Sequence, residues 1–161
     1  MDTKRRKTQS FVDISVSGYL ARWASVRFER NAVTGGVVLP VRLNVHHCLW
    51  HLLERRRKNS RPPASACNLR LHLTFHRDGW KNPAFWNYLS AHSQHVIEGE
   101  LRRLFYMELR HWMATSPEPL LKDRCHAFAR RYRLTLDDEE TVLRTWRRLL
   151  RQERELILNE E

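Results

Sequence analysis

The segment from Thr135 to Leu158 constrains the fold more than any other stretch, because a start signal and a two-sided pattern occur in it together. Thr135 precedes Asp137, Asp138, Glu139 and Glu140. The spacing from Thr135 to Asp138 is that of a capping box with Asp in place of Glu or Gln, and acids in a first turn meet the positive end of the helix dipole. At about 100° per residue, Leu143, Trp146, Leu149, Leu150 and Ile157 fall in one arc. Arg144, Arg147, Arg148, Arg151 and Arg154 fall in the opposite one. The pattern predicts one long helix with a packing face and a guanidinium face.

A second helix is expected before it, from Leu120 to about Tyr132, with Leu121, Cys125, Phe128 and Tyr132 recurring at helical spacing. The link Arg133-Leu134-Thr135 is short enough for the pair, residues 120–158, to have the spacing of a helix-turn-helix unit. A recognition helix ordinarily contacts bases near its N-terminus, where this one carries four acids. The pattern therefore favours phosphate contact by the middle of the helix over base readout.

Upstream, Val16, Tyr19, Leu20, Trp23 and Val26 predict a helix from Ile14 to Phe28, with Asp13 or Ser15 as N-cap. Gly35-Gly36 followed by Val37-Val38-Leu39-Pro40-Val41 reads as a turn and a short strand, which Pro40 limits to an edge or an end. Asn44 is available to cap a helix bearing Val45, Cys48, Leu49, Leu52 and Leu53. That helix is expected to run into Arg55, Arg56, Arg57, Lys58 and Arg61, where cations suit its C-terminal dipole and Pro62-Pro63 stop it. Leu69, Leu71, Leu73 and Phe75 alternate with polar residues as a half-buried strand does. Trp80, Phe85, Trp86 and Tyr88 lie in a stretch with loop signals, either as a lid over the core or as an exposed stacking surface. Ser90 or Ser93 opens the longest helix, whose stripe is Ile97, Leu101, Leu104, Phe105 and Trp112, and Pro117 and Pro119 end it. Gly99 within it costs about 1 kcal/mol relative to Ala.

The fold class expected is α+β and mainly helical: about five helices, a small two- or three-stranded sheet and the C-terminal helix pair. Residues 1–10 read as a flexible basic arm and 11–161 as a single globular domain. With 161 residues, 42% of them hydrophobic, and six Trp, the chain can bury a core. No run approaches the roughly 20 apolar residues of a membrane helix, and no apolar region follows the basic N-terminus as in a signal peptide. Three cysteines, Cys48, Cys67 and Cys125, give no disulfide framework and imply a reducing, cytoplasmic setting.

Lys and Arg number 29 against 18 Asp and Glu, a net charge of +11. The excess is clustered at Lys4, Arg5, Arg6 and Lys7, at Arg55 to Lys58, and on the last helix. Any one such cluster is ordinarily a solvated face. Three together point to a polyanionic partner, with duplex DNA favoured through phosphate contacts and, with it, association with the nucleoid. The rival expectation is a protein-interaction module that binds an acidic partner or self-associates. Bases stacking on the Trp80 to Tyr88 aromatics are a further option, worth about 1–3 kcal/mol per contact.

Catalytic and metal signatures are absent from the sequence. His47 and His51 with Cys48, and then Cys67, His72 and His76, have distances along the chain that could serve zinc. However, there is no Cys-x-x-Cys, and His72 and His76 would stand about 13 Å apart on one strand. His46-His47 is not the His-hydrophobic-His motif of rolling-circle nucleases, and no carboxylate cluster resembles a two-metal site. No Gly-rich phosphate loop or nucleophile motif occurs either. Neither a cofactor nor a metal is expected.

Phe11-Val12-Asp13-Ile14-Ser15, Val38-Leu39-Pro40, His47-Cys48-Leu49-Trp50, Trp86-Asn87-Tyr88-Leu89-Ser90 and Phe128-Ala129-Arg130-Arg131-Tyr132 span most of the chain. Together they resemble a family of small basic proteins found in prophages and mobile elements of Bacteroidetes. The resemblance implies a regulatory or accessory role in a mobile element and transfers no functional residue.

Overall fold

Alternating apolar and polar residues form the β-strand Leu69–His72, and apolar residues that recur every three or four positions form the helices. In the computed structural model, which describes residues 10–56, 67–74 and 79–159, the order is β1 (Phe11–Ile14), α1 (Gly18–Arg27), α2 (Asn44–Leu52), β2 (Glu54–Arg55), β3 (Leu69–His72), β4 (Trp86–Tyr88), α3 (Ala91–Thr115), α4 (Leu121–Arg131) and α5 (Leu136–Asn159). The fold is α+β and mainly helical, with two small two-stranded antiparallel sheets. The chain divides into two compact units, Met1–Leu101 and Arg102–Glu161, with the boundary inside α3.

In the first unit β1 pairs with β3 in the register Phe11 to His72 and Ile14 to Leu69. Val12, Ile14, Leu69, Leu71 and Leu73 are buried. On the other side of the sheet Arg70 grips Asp13 with two nitrogens, at 2.7 and 3.1 Å, and lies 3.8 Å from the Phe11 ring centroid. Val37 bridges the far edge of β3: its N–H donates to the Arg70 carbonyl and its own carbonyl accepts from His72 N–H. Trp23 and Leu20 of α1, Leu49 of α2 and Ile97 and Leu101 of α3 complete this core.

Three expectations for this unit are corrected. The first helix begins at Gly18 rather than Ile14. Phe11–Ile14 is a strand, and Asp13 pairs with Arg70 instead of capping. The missing start signal is supplied by Glu98 of α3, whose carboxylate accepts from Ser17 N–H at 2.9 Å and from its hydroxyl at 2.6 Å. The stretch after Gly35-Gly36 is no strand beyond the bridge at Val37, because Pro40 opens a turn that leads straight into α2. Finally, α2 stops at Leu52, and Glu54–Arg55 pair with β4 instead of extending the helix. The aromatic loop thus contains a strand, Trp86–Tyr88.

In the second unit Phe105, Leu109 and Met113 of α3, Cys125, Phe128 and Tyr132 of α4, and Val142 and Leu149 of α5 are buried. Phe128 is the hub, with its ring centroid 5.6 Å from Phe105, 5.8 Å from Trp112 and 4.8 Å from Tyr132. Arg124 donates to the Met113 carbonyl at 2.9 Å and also to that of Glu118, which fastens the proline-bearing link between α3 and α4. Helix α4 ends in a Schellman turn: Leu134 N–H reaches the Ala129 carbonyl, Arg133 N–H reaches that of Arg130, and Arg133 sits at φ 53°. The capping box at the start of α5 is formed, with Thr135 N–H donating to Asp138 Oδ2 at 3.0 Å and Asp138 N–H to Thr135 Oγ1 at 3.3 Å.

The packed face of α5 differs from the apolar arc in the sequence. Asp138, Val142, Thr145 and Leu149 are buried, whereas Leu143, Trp146 and Leu150 are half-buried and Ile157 is exposed. Two polar residues join the buried row: Asp138, which is folded into the cap, and Thr145, which lies between Val142 and Leu149 along the helix. Among the described residues no helix is long and apolar enough to cross a membrane.

Candidate functional site

Helix α5 is held at its start by the capping box and along its length by the buried row at 138, 142, 145 and 149. That row points one way, so Arg144, Arg147, Arg148, Arg151 and Arg154 point the other, and all five are exposed. On a helical wheel they occupy about 120°. Arg144 pairs with Glu140 at 2.8 Å, and Arg148 donates to the Tyr106 hydroxyl with its guanidinium 5.6 Å from that ring. Arg147, Arg151 and Arg154 make no hydrogen bond or ion pair among the described residues, although Arg110 of α3 holds the neighbouring Glu153 at 3.2 Å. The second unit contains 13 Lys and Arg against 11 Asp and Glu, and the first 16 against 7. The α5 face is therefore basic by arrangement, and the net charge resides in the first unit.

Of the other predicted basic residues, Arg55 lies in β2 with its guanidinium 5.9 Å from the Phe85 ring, and Arg56 donates its backbone N–H to the Phe85 carbonyl at 2.9 Å. Lys4, Arg5, Arg6, Lys7, Arg57 and Lys58 lie outside the described residues. The structure gathers the five arginines of α5 on one face; Arg55 and Arg56 belong to the other unit.

A concave site that the sequence does not announce lies in the first unit. His46, His47, Trp50 and His51 of α2 and Gly79, Trp80 and Lys81 line a cavity of about 370 Å³. Lys81 builds it. A helix end leaves carbonyls without donors, and the Lys81 ammonium supplies them, at 2.7 Å from the Trp50 carbonyl, 3.1 Å from that of His51 and 3.0 Å from that of Leu53. Burial draws the ammonium below the usual lysine range, with the Glu54 carboxylate acting in the opposite sense. The same ammonium lies 5.3 Å from the Trp80 ring and 5.1 Å from Trp86, and these two indoles meet edge to face at 5.0 Å. Trp50 Nε1–H donates to His46 Nε2 at 3.1 Å, which sets the opposite wall. Asn82 and Asn87 hold the intervening loop, Asn82 Oδ1 accepting from Ala84 N–H and Asn87 donating to the Pro83 carbonyl. Trp80 is 76% and Phe85 56% exposed, so these two aromatics face solvent and do not fill the core. The density of Trp and His in 46–51 and 80–86 was the available signal for this cleft.

Among the described residues no three His, Cys, Asp or Glu side chains are grouped to hold a metal ion. His72 instead faces Thr34 Oγ1 at 3.0 Å and Asn31 Nδ2 at 3.5 Å, and His76 lies outside the described residues. Burial pushes the Cys125 thiol up to about 11, with Glu139 adding to the shift and Arg147 opposing it, so the thiolate is scarce at neutral pH. Comparison with protein-family models, curated proteins and solved structures finds no match.

Proposed function

We propose that the protein binds nucleic acid, duplex DNA above all, through phosphate contacts made by the exposed face of α5, in a regulatory or accessory role. The observation that carries this reading is the placement of Arg144, Arg147, Arg148, Arg151 and Arg154 on one exposed face, opposite the buried row. Guanidinium groups pair with phosphate oxygens in a planar fork, and exposed contacts such as Arg144 with Glu140 are weak enough, at about 0–1 kcal/mol, for a phosphate to displace them. The acids Asp137 to Glu140 confine the contact to the middle and end of the helix. The positive first unit adds longer-range attraction.

The test is fluorescence anisotropy on random duplex DNA between about 50 and 200 mM salt, comparing wild type with Arg144, Arg147, Arg148 and Arg151 all changed to Ala. Each lost phosphate contact is expected to flatten the log-log salt slope by about 0.9, so the quadruple variant weakens and its slope becomes shallower by about 3.6. A folded quadruple variant with the affinity and slope of wild type overturns the reading.

A second reading, self-association, is favoured by one observation. Leu136, Leu143, Leu150 and Ile157 recur every seven residues on α5 and are half-buried or exposed, Leu136 by 82% and Ile157 by 64%. Sedimentation that reports a monomer at all concentrations up to about 100 μM, a range in which specific interfaces of modest affinity form, removes it.

A further inference from the structure

We infer that the cleft between α2 and residues 79–81 is a stacking site for an unpaired nucleobase, so that the first unit takes single-stranded nucleic acid. The site belongs to the first unit and the α5 arginines to the second, so single-strand binding here does not depend on α5 contacting a duplex.

Its volume of about 370 Å³ falls in the range of small-ligand sites and suits one nucleotide. Its walls are planar and aromatic: Trp80, three-quarters exposed, on one side, and Trp50 and the α2 histidines on the other. A base within a duplex is already stacked on both faces and could not enter, whereas an unpaired one offers a free π-face to an indole. The charge is also selective. The Lys81 ammonium directs its hydrogens to three backbone carbonyls, so it acts as a fixed positive charge behind Trp80 and Trp86 and not as a ligand donor. That charge repels cationic rings and favours a ligand carrying phosphate. His47 and His51, one helical turn apart, exposed and both lining the cleft, present ring nitrogens to a phosphate or a base edge. On the β2–β4 ribbon Arg55 accompanies the exposed Phe85, so a second aromatic-cation pair is available to the next nucleotide of the strand. Alternation of exposed aromatics with cations is how single-strand binders hold successive bases without reading sequence.

The experiment uses the full chain with a labelled 12-nucleotide oligothymidylate at about 50 mM salt, where phosphate contacts are least screened. Anisotropy and intrinsic tryptophan fluorescence are read together. Saturable quenching is expected, and Trp80→Leu is expected to weaken oligonucleotide binding about tenfold, the effect of losing one stacked base. The same variant should leave random-duplex binding within about twofold of wild type, because stacking contributes nothing there. His47→Ala with His51→Ala, which leaves the Lys81 cap in place, should weaken the oligonucleotide in the same direction. Circular dichroism confirms that each variant is folded. Wild-type affinity in Trp80→Leu overturns the inference. So does an equal loss for duplex and single strand, or quenching by a neutral oligosaccharide but not by the oligonucleotide.

Discussion

A Cβ on Gly36 would stand 2.8 Å from the backbone nitrogen of His72, closer than real Cβ contacts come. The approach is enforced by the bridge next door, where Val37 exchanges hydrogen bonds with Arg70 and His72 along the free edge of β3. Backbone cannot yield there without loosening β3 from the Val37 bridge. Gly36→Ala is therefore expected to cost about 1–3 kcal/mol in urea unfolding, as overpacked sites do. Gly35→Ala meets no atom within 4 Å but sits at φ 69°, so about 1 kcal/mol is expected from the backbone alone. Equal losses at the two positions would contradict the close approach.

Burial holds His72 below the ordinary histidine range, so the folded state favours its neutral ring. The ring sits between Thr34 Oγ1 and the Asn31 amide, whose NH₂ donates to an unprotonated Nε2. As pH falls below about 6.5, the unfolded chain binds this proton first, so stability drops with acidification. His72's contribution is complete above that pH and is lost downward through the window to its folded value. Urea midpoints measured from pH 7.5 to 5 should converge between wild type and His72→Gln as pH falls. Parallel profiles would show that His72 is not the group responsible.

The turn between α4 and α5 makes two opposite predictions a few residues apart. Arg133 occupies the left-handed position of the Schellman turn without the freedom of glycine, so Arg133→Gly should stabilise the protein by about 1 kcal/mol. Thr135→Ala removes the hydroxyl that accepts from Asp138 N–H and should destabilise it by about the same amount. Thermal melts of the two single variants check both signs.

Local chemistry made several elements legible. The Thr135–Asp138 box, the alternation of Leu69, Leu71 and Leu73, and Ser90, whose hydroxyl accepts from Ser93 N–H at 3.1 Å at the start of α3, all act between residues a few positions apart. The arginine face of α5 was legible for the same reason, since helical spacing alone separates it from the buried row. The chain could not announce the start of α1, because no side chain near Ser17 caps it and the acceptor is Glu98, 81 residues away. Helix α2 is likewise closed from a distance, by Lys81.

The sequence by itself determined the mainly helical α+β class, the ends of α3, α4 and α5, and the side of α5 on which arginines gather. Those follow from hydrogen bonds and periodicities that close within one or two turns of chain. Only the tertiary structure decided that Phe11–Ile14 would be a strand, that Asp138 and Thr145 would be buried, and that His46, Trp50, Trp80 and Lys81 would enclose a cleft. Orphaned helix ends must find partners, and which donor or acceptor reaches them is settled only when distant segments pack.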